Sequence, residues 1–157
     1  MKGNLLFQVD PKCLVGEVCK SKYCHCALCY DDNNIVEATF AGVTISPISK
    51  YENYDIFAVK NLDPLTADKI IISALKEINR FYDFPAVFYL GLQIIFHLKE
   101  TKNPFDLSWL WFCSELLAQK FKDYGFDFVP GQDSGEVSPE EISESALVYK
   151  LYEIRKK

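Results

Sequence analysis

The chain has 157 residues, of which 49% are hydrophobic and 15% aromatic, so it can bury a substantial core, and we expect a single folded domain over residues 1–157. Its formal net charge of −5 disfavours nucleic acid as a partner, because phosphate binding requires a basic surface. The first ten residues lack the apolar run and the cleavage site of a signal peptide, and no apolar stretch reaches the roughly 20 residues of a membrane-spanning helix. These features predict a cytoplasmic protein without a transmembrane segment, whose six cysteines are reduced thiols.

The first half of the chain predicts β-strands separated by turns. The strands are expected over residues 3–8, 22–30, 35–40, 43–46 and 54–60. A polar turn joins the second strand to the third as a hairpin. Because strand side chains alternate, Tyr23 and His25 should point to one face of the sheet, and Cys24 and Cys26 to the other.

Helical patterns begin after residue 63. Thr66 is the expected N-cap of a helix whose apolar stripe runs to Phe81. Pro85 can occupy the first position of a further helix, which is apolar nearly all round and is therefore expected to be buried.

The last third of the chain predicts two more helices and a strand. A helix that starts at Cys113 should end at Gly125, since glycine favours the left-handed conformation that closes a helix. Ser138 and Glu141 form a capping box for a short helix, and a strand follows over residues 146–154. Strands grouped before helices are typical of an α+β domain built around an antiparallel sheet.

Cys113 is the first candidate for chemistry. It should lie in the first turn of its helix, where unpaired backbone N–H groups and the helix dipole favour a thiolate. A cysteine in that position has a lowered pKa and can act as a nucleophile at neutral pH. The alternative is a structural role, because free cysteines are also common core residues.

A cysteine nucleophile requires a base, and the chain has two histidines, His25 and His97. His25 lies on a predicted strand, opposite Glu37 across a tight hairpin, where side chains of facing strands meet. A carboxylate beside an imidazole fixes its tautomer and stabilises its charge. We therefore interpret Cys113, His25 and Glu37 as a candidate triad, against the alternative of a structural histidine and an exposed acid.

The cysteines around His25 also suggest a zinc site formed by Cys24, His25, Cys26 and Cys29. Alternation along a strand turns Cys24 and Cys26 away from His25 and Cys29, so the four side chains cannot close one tetrahedron. A zinc site would need a loop there, with Cys13 or Cys19 supplying other ligands. We expect no metal and no organic cofactor.

Several short motifs occur in a definite order along the chain. They are an opening strand at 3–7 with Asn4 in place of an acid, a histidine strand at 25–30, an acid strand at 36–38 followed by a turn at 42–43, a tyrosine motif at 82–83, a nucleophile motif at 112–117 and tail motifs at 138–139 and 144–145. Together they resemble the permuted branch of the NlpC/p60 papain-like cysteine hydrolases, the YiiX/YebB-like group, which is related to lecithin:retinol acyltransferase-like enzymes.

The resemblance implies a circularly permuted papain-like fold, in which an antiparallel sheet or half-barrel packs against helices and the nucleophile begins a helix. It implies that Cys113 is the nucleophile, His25 the base and Glu37 the orienting acid, and that Tyr82 and Ser114 bind substrate. The implied reaction is cleavage of an amide bond, in a cell-wall-type peptide or a related small amide, through an acyl-enzyme. It implies no metal or organic cofactor.

Two other functions are compatible with the same residues. The first is an acyltransferase that uses the triad on a lipid or an amine. The second is a binding module that keeps the fold and the pocket without turnover. For the hydrolase and for the acyltransferase, the sequence predicts a small peptide, amide or acyl substrate. It makes no prediction about the oligomeric state.

Overall fold

A computed structural model describes residues 1–10, 21–39, 42–78 and 113–156 of the chain. In these residues six strands form one antiparallel sheet with the order β4-β3-β2-β1-β5-β6. The strands are β1 (Leu5–Val9), β2 (Tyr23–Cys29), β3 (Asn34–Thr39), β4 (Gly42–Pro47), β5 (Tyr54–Val59) and β6 (Val148–Ile154). The predicted strands are confirmed, with ends that differ by one or two residues.

Within the described ranges three helices pack against the sheet: α1 (Pro64–Leu75), α2 (Cys113–Lys122) and α3 (Pro139–Glu144). None of the helices in the described ranges is long and apolar enough to cross a bilayer. The antiparallel sheet with helices packed against it confirms the α+β architecture predicted from the order of the elements. The predicted helix at Pro85 and the end of the predicted stripe at Phe81 lie outside the described residues.

The predicted N-cap of α1 is wrong. Asp63, not Thr66, caps this helix, and its carboxylate accepts hydrogen bonds from the backbone N–H groups of Leu65 and Thr66. Pro64 then takes the first helical position, where its missing N–H costs nothing. The aspartate therefore caps the helix three residues before the threonine.

The other two helix signals are confirmed. Gly125 has a φ of +89°, and its N–H donates to the Lys122 carbonyl at 3.0 Å, while the next N–H, of Phe126, donates to the Phe121 carbonyl at 3.0 Å. This pair of bonds is the Schellman closure of α2. At α3 the capping box of Ser138 and Glu141 forms as predicted.

The sheet separates two apolar clusters. On one face, strand residues such as Phe7, Cys26 and Leu28 pack with buried residues of the three helices, among them Leu116 and Cys113. On the other face a smaller cluster is formed by Leu6, Ala27, Cys29, Ile35, Ile48 and Ile56. We call the first the helix face and the second the outer face.

Two irregularities of β2 shape the sheet near its middle. Among the described residues, β2 pairs with β3 only at Leu28↔Val36 and Cys29↔Ile35, although β2 stays paired with β1, and β3 with β4, well beyond that point. The two strands therefore diverge and leave a gap. The pairing of β1 with β2 also shifts register by one residue between Gln8 and Val9.

That shift is a bulge, and it overturns one prediction. Tyr23 packs on the helix face together with Cys26, not on the face of His25 as strict alternation predicts. A bulge inserts one residue and reverses the side-chain direction beyond it. Bulges are common next to functional sites, and this one lies directly before His25.

Candidate active site

The gap between β2 and β3 is where the predicted residues meet. Cys113, the first described residue of α2, is 2% exposed and belongs to the helix-face cluster. The groups that act on the pKa of its thiol are Cys26 and His25. The residues that would form the N-terminal boundary of α2 lie outside the described ranges.

His25 and Glu37 face each other across the same gap. The Nε2 atom of His25 lies 2.7 Å from Oε2 of Glu37, so the predicted contact between them is confirmed. With Nε2 engaged by the carboxylate, Nδ1 is the ring nitrogen left to interact with Cys113. His25 thus connects a carboxylate on β3 to a thiol on α2.

Glu37 is completely buried, which rules out the exposed strand position that was the plain alternative. Besides His25, its carboxylate accepts a hydrogen bond from Lys50 Nζ at 2.7 Å on Oε1 and one from the Tyr51 hydroxyl on Oε2. Ser46 also lowers the pKa of this carboxyl. A buried carboxylate requires such partners, and here they are complete enough to keep it ionised.

Lys50 and Tyr51 are site residues that the sequence analysis missed. They lie in and directly after a 3₁₀ turn, Ile48–Lys50, between the strands predicted at 43–46 and 54–60. The Tyr51 ring stacks on the His25 ring, with 5.7 Å between the centroids and 25° between the planes. Ser46 had a usable signal, because the register of β3 with β4 places it diagonally across from Glu37.

The electrostatics of the carboxylate and the imidazole follow from these contacts. Burial would raise the pKa of Glu37, but hydrogen bonds and charge from His25, Lys50 and Ser46 outweigh it and hold that pKa well below its usual range. For His25, burial lowers the pKa, but the negative charges of Cys113 and Glu37 prevail and raise it to about 9. His25 is therefore an imidazolium at neutral pH.

The two thiols at the site have opposite tendencies. The hydrogen bond from the Cys26 thiol and the charge of His25 outweigh burial and hold the pKa of Cys113 well below its usual range. Burial, and then the neighbouring Cys113 thiolate, raise the pKa of Cys26 well above its usual range. These opposite shifts favour a thiolate at Cys113, paired with the His25 imidazolium, and a neutral thiol at Cys26.

The remaining predicted residues fall into two groups. Ser114 is 1% exposed, and among the described residues its hydroxyl has no hydrogen-bond partner. Tyr82 and His97 lie outside the described residues. A buried hydroxyl without a partner, one residue after the thiolate, is free to bond a group that enters the site.

The zinc alternative finds no support in the described part of the chain. No group of three or more histidine, cysteine, aspartate or glutamate side chains is arranged there to hold a metal ion. Cys26 and Cys29 lie on opposite faces of the sheet, as strand alternation predicts. Cys24, Cys26, Cys29 and Cys113 are all free thiols.

Comparison with known proteins adds no family to these observations. A scan against protein-family models finds no match. A search of curated proteins finds no relative. Function is therefore inferred from the residues of the site.

Proposed function

We propose that the protein is a thiol hydrolase of the permuted papain-like type, which cleaves an amide bond through an acyl-enzyme on Cys113. The observation that carries this proposal is the contact of buried Glu37 with His25, together with the electrostatic interaction of His25 with buried Cys113. A thiolate beside an imidazolium that is itself anchored by a carboxylate is the chemistry of cysteine hydrolases. The resemblance of the sequence motifs to the NlpC/p60 branch supports the same reaction.

In the first half of the reaction, the Cys113 thiolate attacks the carbonyl carbon of the substrate and a C–S bond forms. The tetrahedral intermediate collapses as the C–N bond breaks, and the His25 imidazolium gives its proton to the leaving amine. Glu37 holds the His25 ring in the tautomer and orientation that this transfer needs.

In the second half, neutral His25 takes a proton from a water molecule, and the resulting hydroxide attacks the acyl-enzyme. The C–S bond breaks, the acid product leaves, and the imidazolium–thiolate pair is restored. The backbone N–H of Cys113 is the proposed oxyanion donor, with the Tyr82 hydroxyl as a second donor by resemblance. The unpartnered hydroxyl of Ser114 is proposed to bind the substrate.

The first experiment tests the activated thiol without knowledge of the substrate. An ordinary thiol is mostly protonated at pH 6, whereas a thiolate paired with an imidazolium is not. Limited iodoacetamide at pH 6, analysed by peptide mass spectrometry, should therefore label Cys113 before the other five cysteines. His25→Ala should slow this labelling by roughly three-hundredfold, which is the loss of thiolate expected when the thiol pKa returns to near 8.5.

His97→Ala is the matched control, because it removes the other histidine. It should leave the labelling rate within about twofold of the native rate. Because Cys113 is buried, a smaller alkylating agent should be run in parallel. Labelling of Cys24 or Cys26 first, or no effect of His25→Ala with either reagent, contradicts the activated thiol.

The second experiment tests turnover. The protein is mixed with a panel of peptide amides and activated esters, and intact mass spectrometry detects an acyl group on Cys113. Release of a free acid in water supports the hydrolase. Transfer of the acyl group to an added amine or lipid acceptor, with little free acid, would replace it by the acyltransferase. An alkylatable Cys113 that forms no acyl-enzyme with any member would favour the binding module.

A further inference from the structure

The two edges of the sheet are formed by β4 and β6, and they differ in how they meet solvent. β4 ends at Pro47, which has no N–H to offer another strand, and Ile45 is its exposed large apolar residue. β6 has seven residues and contains no proline. Among the described strands none pairs with its free edge, which therefore presents backbone N–H and C=O groups to another strand.

The side chains of β6 are also apolar for an edge strand. Of the nine exposed large apolar side chains in the described ranges, four lie on β6 and are 41–49% exposed: Tyr149, Leu151, Tyr152 and Ile154. Single apolar residues are ordinary on a protein surface, whereas four within six consecutive positions form a contiguous patch. A long apolar edge strand of this kind is a template for pairing with another strand.

The register with β5 assigns the side chains of β6 to the two faces of the sheet. The pairing shifts by one residue between Ile56 and Phe57, and Leu151 is the extra residue of the resulting bulge. Lys150 and Glu153 therefore share the helix face, where their charged groups lie 3.7 Å apart and both side chains remain partly exposed. The apolar side chains on the outer face are Tyr149, Tyr152 and Ile154.

This pattern is complementary to an antiparallel copy of itself. When a two-fold axis passes between Leu151 and Tyr152, Lys150 lies opposite Glu153 of the second copy. Tyr149 then lies opposite Ile154 of the second copy, and symmetry repeats both pairs across the axis. Each pair joins side chains of the same face, so the two sheets continue into one. Pairs of opposite charge and pairs of an aromatic with a β-branched residue stabilise antiparallel strands.

The neighbouring registers lack this match. A shift by one residue sets Lys150 against Tyr152 or Ile154 of the second copy, and both of these belong to the outer face. It also removes both charge pairs. The sequence of β6 therefore favours one register of self-pairing.

We propose that β6 is the interaction surface for a second copy of this chain, and that two copies pair through β6 into one continuous antiparallel sheet. The second copy is the partner that offers both a free edge and the charges that match Lys150 and Glu153. The gap between β2 and β3 is separated from β6 by β1 and β5, so the pairing leaves the candidate active site open. The inference does not depend on the proposed function.

The test measures the mass of the full chain in solution by sedimentation velocity at rising protein concentration. The native protein should pass from the mass of one chain to that of two and no further, because the pairing uses the β6 edge of both copies. Glu153→Lys sets like charges opposite each other in both symmetric pairs, and Leu151→Lys puts a cation into the apolar patch beside the axis. Each should raise the Kd of the dimer at least about tenfold.

Ile45→Lys is the matched control, because Ile45 is an apolar residue of the other edge strand with nearly the exposure of Leu151, 43% against 45%. It should leave the Kd within about twofold of the native value. All three variants should keep the circular dichroism spectrum of the native protein at a concentration where every chain is monomeric, which separates loss of the dimer from loss of the fold.

A cross-link tests the register. In an equal mixture of ¹⁵N-labelled and unlabelled protein, a carbodiimide should join the Lys150 amine of one chain to the Glu153 carboxylate of another, with loss of water. Peptide mass spectrometry identifies this product by its one labelled and one unlabelled half. A dimer that lacks this mixed cross-link contradicts the inferred register.

Three results of sedimentation overturn the inference. The first is a chain that stays monomeric up to about 1 mM, which would leave β6 to a different occupant. The second is a dimer that survives both β6 variants or is lost in Ile45→Lys. The third is growth beyond two chains, which would mean that β6 pairs with β4 of the next copy.

Discussion

Two carboxylates of the sheet are completely buried, Glu37 on β3 and Asp55 on β5. Each is held by a tyrosine hydroxyl and by cations, and in each case these partners outweigh burial and hold the pKa of the carboxyl well below its usual range. By hydrogen bonding alone the two sites are close equivalents. They differ in the chemistry of the residues that bond each carboxylate.

None of the described partners of Asp55 connects it to a nucleophile. Its carboxylate accepts hydrogen bonds from the Tyr23 hydroxyl at 2.7 Å and from Arg155, and it pairs with Lys150 Nζ at 2.7 Å and Lys22 Nζ at 3.2 Å. These side chains join β5 to the start of β2, to β6 and to the residue that follows β6. Apart from the tyrosine these partners are lysine and arginine side chains, so Asp55 serves as an electrostatic tie.

Glu37 differs because one of its partners is His25, an imidazole that can give up and regain a proton during a reaction and that also interacts with a thiol. The comparison teaches that a buried, fully bonded carboxylate is not by itself a sign of catalysis. The sign is a titratable partner that connects it to a nucleophile. Asp55 therefore provides a built-in control for every test of Glu37.

The largest expected effect is on stability, and it should be shared by both sites. Glu37→Gln and Asp55→Asn each remove a buried charge and leave its cations unpaired, which should lower the free energy of unfolding by about 2–3 kcal/mol at pH 7. The cost is at the low end for buried pairs because the cations are partly exposed. Urea unfolding followed by circular dichroism measures it.

The pH dependence gives the same test a sign. A carboxyl with a lowered pKa in the folded state contributes stability above its unfolded pKa of about 4, and this is lost as the pH falls below that value. Each variant should therefore lose less stability than the native protein between pH 5 and pH 3. If only one variant loses less stability than the native protein over this pH range, the two carboxylates are not electrostatic equivalents.

The next effect should separate the two sites. Glu37→Gln removes the carboxylate charge that faces Nε2 of His25, so the pKa of His25 should fall from about 9. Labelling of Cys113 at pH 6 should then slow by about tenfold. NMR titration of the histidine ring protons and timed alkylation measure the two quantities.

Asp55→Asn is the control for this effect, and it should leave the His25 titration unchanged and the labelling rate within about twofold. Equal slowing of labelling in both variants would mean that the loss comes from general destabilisation. The link between Glu37 and Cys113 through His25 would then be wrong.

The features that the sequence could predict are those set by local signals. The contact of His25 with Glu37 was predictable, because a four-residue polar turn and two alternating strands define a hairpin with facing side chains. The same kind of local signal predicted the capping box at Ser138 and the closure of α2 at Gly125. Each depends on residues that are close in sequence.

The features that escaped prediction depend on long-range register. Lys50 and Tyr51 reach Glu37 only because β4 ends in a 3₁₀ turn that folds back over the outer face, and no periodicity marks that turn. The bulge in β2 that turns Tyr23 towards Asp55 is likewise set by pairing with β1. The N-cap of α1 is an exception, because its signal is local. Asp63 caps the helix in place of Thr66 because the proline beside it fits the first turn.

A smaller effect is expected from the tyrosines, which are matched between the sites. Tyr51→Phe and Tyr23→Phe each remove one donor to a carboxylate and keep the ring, so each should lower the free energy of unfolding by about 1–2 kcal/mol. They should differ at His25. The Tyr51 hydroxyl shares Oε2 of Glu37 with the imidazole, so its loss should raise the pKa of His25 slightly, since the carboxylate then bonds the imidazolium more strongly.

The same NMR titration measures the shift, with Tyr23→Phe as the control that should leave His25 unchanged. A fall of the His25 pKa in Tyr51→Phe would contradict this account. It would mean that the hydroxyl positions the imidazole and does not compete with it for the carboxylate.

The smallest effect should come from the lysines, which again form a matched pair. Lys50 Nζ lies 2.7 Å from Glu37 and Lys150 Nζ lies 2.7 Å from Asp55, and the two side chains are 46% and 38% exposed. Water already solvates such cations, so Lys50→Met and Lys150→Met should each cost at most about 1 kcal/mol of stability. Raising the salt concentration to about 1 M should weaken these pairs in the native protein and so reduce both differences.

The lysine variants should nevertheless differ at the active site. Asp55 without Lys150 keeps two cations, Lys22 and Arg155, whereas Glu37 without Lys50 keeps His25 as its only cationic partner among the described residues. The full negative charge then acts on the imidazole, so Lys50→Met should raise the pKa of His25 and leave Cys113 at least as reactive at pH 6. Lys150→Met should change neither quantity. A lower His25 pKa in Lys50→Met would mean that Lys50 holds Glu37 in place, because a carboxylate released from the gap no longer stabilises the imidazolium.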